Sequence, residues 1–245
     1  MTKRSSTWDN ALSGFRHLIT AQGEVGYAYN RLQEMFFHVF NLAVSLERPD
    51  RIVIYYNYAL ELWHVVQNDA QQRDLALASL EHLPTTLNIK GGIERLRWAK
   101  KKTDDLALYR NLIIHTLVTL RYPYPYPLPK GGKFPEPIPA IEGASTKPIN
   151  KRRLRLIKSP AFWKALRNDF LNLSDYVDFV TRHIGWLECE RKNGAPIPGA
   201  RRSWPRKPRL PSVRRKGLIE YSAKAPISPP KRHKRRKPSG KLPHG

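Results

Sequence analysis

The stretch Arg110-Asn111-Leu112-Ile113-Ile114-His115 brings a guanidinium, an amide and an imidazole into one short segment. These three groups could serve acid–base chemistry at a phosphate, for example cleavage of an RNA phosphodiester without a metal ion. That reaction needs a group to take the 2′-hydroxyl proton, a group to protonate the leaving oxygen, and positive charge on the phosphorane. Histidine carries protons near neutral pH. Arginine presents a planar fork that matches phosphate oxygens. Asparagine can position the phosphate or fix the histidine tautomer. On a helix, Asn111 and His115 lie about 40° apart and one turn from each other. Arg110 lies about 140° from His115 and reaches the same place through its long stem. The competing reading is structural: Arg110 pairs with Asp104, Asp105 or another carboxylate, and His115 is a satisfied interface histidine.

The element that must hold this group is a long helix over about Ile93 to Leu120, a segment free of Gly and Pro. Leu106, Tyr109, Ile113, Leu117 and Leu120 form its core stripe. Leu108, Leu112, Ile114 and Val118 make a second apolar side, near Asn111 and His115. A helix apolar nearly all round is buried nearly all round, so this second side is either a deeper part of the bundle or a subunit interface, and a homodimer built on it is the expectation. A polar Arg-Asn-His group there must be satisfied, because burying it otherwise is costly.

The other elements follow from periodicity. A short amphipathic helix fits 8–22, and a stronger one runs from Tyr27 to about Leu46, with Gly23 and Gly26 loosening the junction. Pro49 ends it, and Asp50 can cap a buried helix over 51–67. Residues 70–83 continue or restart that helix until Pro84. After the long helix, 121–158 is a Pro-rich basic connection. A closing helix fits 160–190, with Ser159 as N-cap and Pro160 at its first position. The expected fold class is all-α, a bundle of about five helices over 1–190 with no convincing sheet.

The charge is unevenly placed. Of the formal +24, residues 1–120 contribute +2, residues 121–190 contribute +5 and residues 191–245 contribute +17. Beyond Asn193-Gly194 prolines recur and large apolar residues are few, so 191–245 is expected to be a disordered basic tail. Such a tail implies a polyanionic partner; the plainer alternative is a solubilising tail. Candidate nucleic-acid contacts are Lys151, Arg152, Arg153, Arg155, Arg214, Arg215, Lys216, Lys231, Arg232, Lys234, Arg235, Arg236 and Lys237. A lone cysteine, Cys189, fits a reducing compartment. With no apolar leader and no stretch long enough to span a bilayer, the expected location is the cytoplasm.

The Arg-Asn-x-x-x-His group near the end of a long helix resembles the active-site motif of HEPN domains, the Arg-x(4–6)-His helical-bundle family. The resemblance extends more loosely over about residues 20–190. It implies a HEPN-like bundle that dimerises through the motif helix. Many family members are metal-independent endoribonucleases of toxin–antitoxin and antiphage systems, which implies RNA as substrate and an antitoxin as a partner. By that likeness Arg110, Asn111 and His115 match the catalytic positions, and Tyr109 precedes them. Thr116 stands where relatives often carry a smaller residue.

Other constellations point elsewhere. Glu61-Leu-Trp-His64 is one Glu-x-x-His step, but a carboxylate-bridged metal bundle needs two such steps and further glutamates, so neither metal nor cofactor is expected. Tyr122-Pro-Tyr-Pro-Tyr-Pro is either a stiff spacer or an aromatic strip for stacking on bases. Lys231 to Lys237 is like a nuclear-localisation run, but a nucleic-acid-binding tail is the simpler account.

Overall fold

The computed structural model describes residues 6–47, 52–83, 89–121, 138–142, 156–196 and 203–212. They form five helices and one two-stranded sheet: α1 (Ser6–Glu47), α2 (Ile52–Val65), α3 (Asp69–Glu81), α4 (Lys90–Ile114), β1 (Leu117–Arg121), β2 (Ile138–Glu142) and α5 (Pro160–Asn193). The mostly helical class matches the expectation. The Pro-Tyr strip, Lys151 to Arg155 and every proposed basic contact from Arg214 onward lie outside the described residues. Among the described residues, no helix is long and apolar enough to cross a membrane.

The two helices expected at 8–22 and 27–46 are one helix, α1, running through Gly23 and Gly26. A reason is visible at Gly26, where a Cβ would sit 3.2 Å from Ile114 Cδ1. The small residue admits the end of α4 rather than breaking α1. Val25, Tyr29, Leu32, Phe36, Val39 and Phe40 bury the inner face of α1, the i, i+3, i+4 stripe of an amphipathic helix. The core lies between α1, α3, α4 and α5. Trp63 of α2 joins it by packing on Phe37 and Phe40, with ring centroids 5.7 and 6.0 Å away.

Helix ends are set by ordinary capping chemistry. Asn68 caps α3 by accepting from the backbone N–H groups of Ala70 at 2.8 Å and Gln71 at 3.4 Å, satisfying donors that lack intrahelical partners. Ser159 is the N-cap residue of α5 and Pro160 opens the helix, though the serine side chain makes no capping bond. Gly194 closes α5 with φ 66°, a left-handed conformation that glycine adopts without steric cost.

The expectation of helix to Leu120 and of no sheet is corrected. α4 stops at Ile114, His115 is its C-cap, and the chain continues as β1. Gln22 of α1 explains the stop. Its Nε2 donates to the carbonyls of Ile113, Ile114 and Thr116 at 2.6, 3.1 and 3.0 Å. The last carbonyls of a helix have no partner within it, and here one amide from another helix occupies them. β-Branched Val118 and Thr119 suit a pleated strand. β1 pairs antiparallel with β2, Val118 opposite Ile141 and Arg121 opposite Ile138. The hairpin lies on the first half of α1, where a Cβ at Gly14 would meet Pro139 Cγ at 2.9 Å.

A second correction concerns the tail, expected to lack structure from residue 191. α5 runs to Asn193, and residues 203–212 pack along the groove between α4 and α5. Trp204 enters beside Gly91 and Gly92, where a Cβ would lie 2.9 and 2.8 Å from indole atoms. At the far end, the Ser212 backbone N–H donates to buried Asp169 Oδ2 at 2.9 Å, and the Ser212 hydroxyl donates to the same oxygen.

Candidate functional site

Arg110 and Asn111 lie in the last turn and a half of α4 and His115 is its C-cap. Asn111 and His115 are exposed and Arg110 is half-buried. The His115 backbone N–H donates to the Asn111 carbonyl at 3.1 Å, so the C-cap sits one turn beyond the amide. Asn111 and His115 continue an exposed stripe of Arg97, Lys101, Asp105 and Leu108, opposite the buried row of Leu96, Ala99, Thr103, Leu106, Tyr109 and Ile113. The histidine is therefore open to solvent rather than built into the core of its own chain.

Arg110 is held from two sides. Its guanidinium lies over the ring of Tyr29, 4.4 Å from the centroid. Its Nη1 donates to Asn111 Oδ1 at 2.8 Å. Its Nε is buried and has no hydrogen-bond partner among the described residues. The cation–π contact fixes the plane of the fork at the mouth of the site.

Tyr29 belongs to the buried stripe of α1. It is 2 % exposed, and its ring meets Phe170 of α5 edge-on at 5.3 Å. Its hydroxyl accepts from Arg73 Nη1 at 3.0 Å and from Gln33 Nε2 at 2.8 Å. Burial, the larger influence, pushes the phenol above its ordinary range, and the Arg73 charge partly offsets it. A buried tyrosine needs a partner for its polar end, and that requirement is the signal by which the network could have been sought.

Arg73 is 1 % exposed. Its Nε and Nη2 donate to Asp104 Oδ1 at 3.0 and 2.6 Å, and Lys100 Nζ donates to Asp104 Oδ2 at 2.8 Å. Burial works against the charge of Lys100, but bonds to Asp104 and Asp74 outweigh it and raise its pKa. This settles part of the structural alternative. Asp104 belongs to Arg73 and Lys100, and Asp105 faces Lys102 at 3.9 Å, so neither carboxylate holds Arg110.

The four interface candidates divide. Leu108 is 39 % exposed and Leu112 is half-buried. Ile114 turns toward α1 at Gly26. Val118, assigned from sequence to a helix face, is a strand residue 7 % exposed and opposite Ile141. It is buried within its own chain. The outer face of the hairpin instead exposes Leu117 at 57 % and Ile138 at 50 %.

A cleft of about 560 Å³ between α3 and α4 is lined by Asp74, Glu81, Arg97, Lys100 and Asp104 among others. Its charges pair across it, Arg97 with Glu81 and Lys100 with Asp74, each at 2.8 Å. The cleft thus reads as an ion-pair seam. Glu61 and His64 both lie on the exposed side of α2.

No protein-family model, curated protein or solved structure matches the chain.

Proposed function

We propose that this protein is a HEPN-like, metal-independent endoribonuclease that acts as a homodimer in the cytoplasm. The observation that carries the reading is the fixing of Arg110 over Tyr29 at the same helix end as exposed Asn111 and His115. A guanidinium oriented before substrate arrives can meet phosphorane charge without reorganising. His115, free toward solvent, supplies proton transfer, and Asn111 orients the phosphate. Leu108 and the hairpin residues Leu117 and Ile138 give an apolar margin for a second copy, which would bring a second His115 to act as the opposite proton carrier. Cleavage then leaves 2′,3′-cyclic phosphate or 3′-phosphate ends. Some toxin-like members of such a class are held silent by an antitoxin, and that partner belongs to the same proposal.

The second reading is a non-catalytic dimeric helical module whose basic tail binds nucleic acid. It is favoured by the Arg110–Asn111 bond, in which the two side chains satisfy each other as a structural pair would. One experiment separates the two. In EDTA the purified chain is expected to cut RNA, with a rate that rises and then falls across neutral pH. His115→Ala is expected to lower that rate by at least about two orders of magnitude while melting cooperatively like the parent. Cleavage at full rate in both His115→Ala and Arg110→Ala, or cleavage that vanishes in EDTA, leaves the module reading.

A further inference from the structure

We infer that residues 203–212 form a pre-ordered rail for the backbone of a single-stranded RNA, with Arg206 and Arg209 as its phosphate contacts. The identity of the polyanion rests on the RNA reading above; the rail itself rests on separate observations.

The first observation is the shape of the segment. It runs from Trp204, beside His183, to Ser212, on Asp169. Those two α5 residues are about 21 Å apart along the helix, at about 1.5 Å per residue. Eight residue steps therefore cover about 2.6 Å each on average, close to the roughly 3.1 Å rise of polyproline II, with a helical turn opening at Pro211 and Ser212. Pro205, Pro208 and Pro211 recur at the three-residue period of that helix.

The period sorts the side chains into rows. Trp204, Lys207 and Leu210 form one row, of which Trp204 and Leu210 are half-buried and Lys207 is exposed. Trp204 and Leu210 pack on the core, and Lys207 Nζ lies 5.4 Å from the Trp98 ring centroid. Arg206 and Arg209 form the outward row and are exposed. Their attachment points are about 9 Å apart by the same rise.

The second observation is charge. Residues 203–212 contain three cations and no carboxylate. Two cations at the strap sit on aromatic faces: Lys207 on Trp98, and Arg95 on Trp204 at 5.3 Å. Asp169, the acid at the far end, is buried and bonded to Ser212. The outward arginines thus present positive charge that the strap does not neutralise.

The third observation is anchorage. Gly91 and Gly92 leave room for the indole, His183 meets it edge-on at 4.4 Å, and Asp169 holds Ser212. A segment fixed at both ends has already lost the conformational freedom that a free basic tail must lose on binding.

Gly91→Ala isolates the anchoring from the charge. Its Cβ would meet Trp204 Nε1 at 2.9 Å, and its three nearest heavy atoms all belong to that indole, so it expels the strap without altering net charge. The measurement is fluorescence anisotropy of the full chain with a labelled oligouridylate whose 2′-O-methyl groups prevent cleavage. Gly91→Ala is expected to weaken binding about tenfold through the ordering cost of the freed arginines, with hydrogen exchange rising at the Ser212 amide that donates to Asp169. Arg206→Ala/Arg209→Ala is expected to reduce the slope of log K against log salt by about 1.4, the share of two phosphates on a single strand. An unchanged slope in the arginine double variant overturns the rail. So does parental affinity in Gly91→Ala once exchange has risen; Trp204→Ala repeats that arm if exchange has not. A parent chain that fails to bind the oligouridylate overturns the RNA reading instead, whatever the variants do.

Discussion

The Arg110 guanidinium rests on the face of Tyr29, a ring whose hydroxyl is gripped from behind by Arg73. One aromatic side chain therefore couples the buried ion pair between α3 and α4 to the exposed end of α4. The two ends of Tyr29 can be separated by mutation. Tyr29→Phe keeps the ring face and removes the acceptor used by Arg73 and Gln33, at a cost of about 1 kcal/mol of stability. Tyr29→Leu also removes the face that orients Arg110. RNA cleavage is expected to survive Tyr29→Phe and to fall at least about tenfold in Tyr29→Leu, measured at a temperature where both variants are folded by circular dichroism.

The ion pair itself is asymmetric. Asp104 keeps Lys100 if Arg73 is lost, whereas Arg73, 1 % exposed, would be left as an uncompensated buried charge without Asp104. Asp104→Asn is therefore expected to cost about 3–5 kcal/mol. Arg73→Met, which removes the buried charge and roughly fills its volume, should cost about 1–3 kcal/mol. Urea unfolding of the two variants orders them, and the reverse order would contradict the asymmetry.

His183 gives a pH dependence with a definite sign. Burial, and secondarily the charge of Arg95, lower its pKa from 6.5, while Glu190 works in the opposite direction. The unfolded chain then binds a proton that the folded chain refuses. The stability that neutral His183 contributes is complete above pH 6.5 and is lost as pH falls below it toward the depressed folded value. The melting temperature should drop between pH 7.5 and pH 5.5. In His183→Phe, which keeps a ring against Trp204, that part of the drop should disappear.

The apolar margin of the site predicts its own disruption. Leu108→Glu places a charge on an exposed position beside the motif, so the fold should survive while self-association fails. Sedimentation at micromolar concentration is expected to move from dimer to monomer with helical circular dichroism unchanged. A parent chain that sediments as a monomer removes the dimer from the proposal.

Much of this arrangement was legible in the residues. The buried stripes of α1, α4 and α5 follow the 3.6-residue period, and Ser159-Pro160 marks the start of α5. That Arg110 and Asn111 stand on one long helix was also readable. The end of α4 itself was not. Leu117, Val118 and Leu120 fit a helical stripe as well as a strand, and the choice is made by Gln22, ninety-one residues before the carbonyl of Ile113. No local pattern encodes that contact. The strap at 203–212 was hidden by composition: a basic, Pro-rich stretch resembles an unstructured tail. Its signal lay in the spacing of Pro205, Pro208 and Pro211 behind a tryptophan, a three-residue period that a search for helices and strands passes over.

The Gln22 contact bears on the order of events as the chain is made. β1 cannot pair until Ile138–Glu142 has been synthesised, with 122–137 in between. Until then the segment after His115 has no strand partner, and its apolar spacing invites α4 to keep winding. The amide that stops it belongs to a helix made well before, ninety-one residues ahead of Ile113. α1 thus serves as a template laid down early, and the place where winding ends is decided by docking of α4 on α1 rather than by closure of the hairpin. A fragment carrying α4 without α1 should carry helix past His115, turning the imidazole to a different bearing.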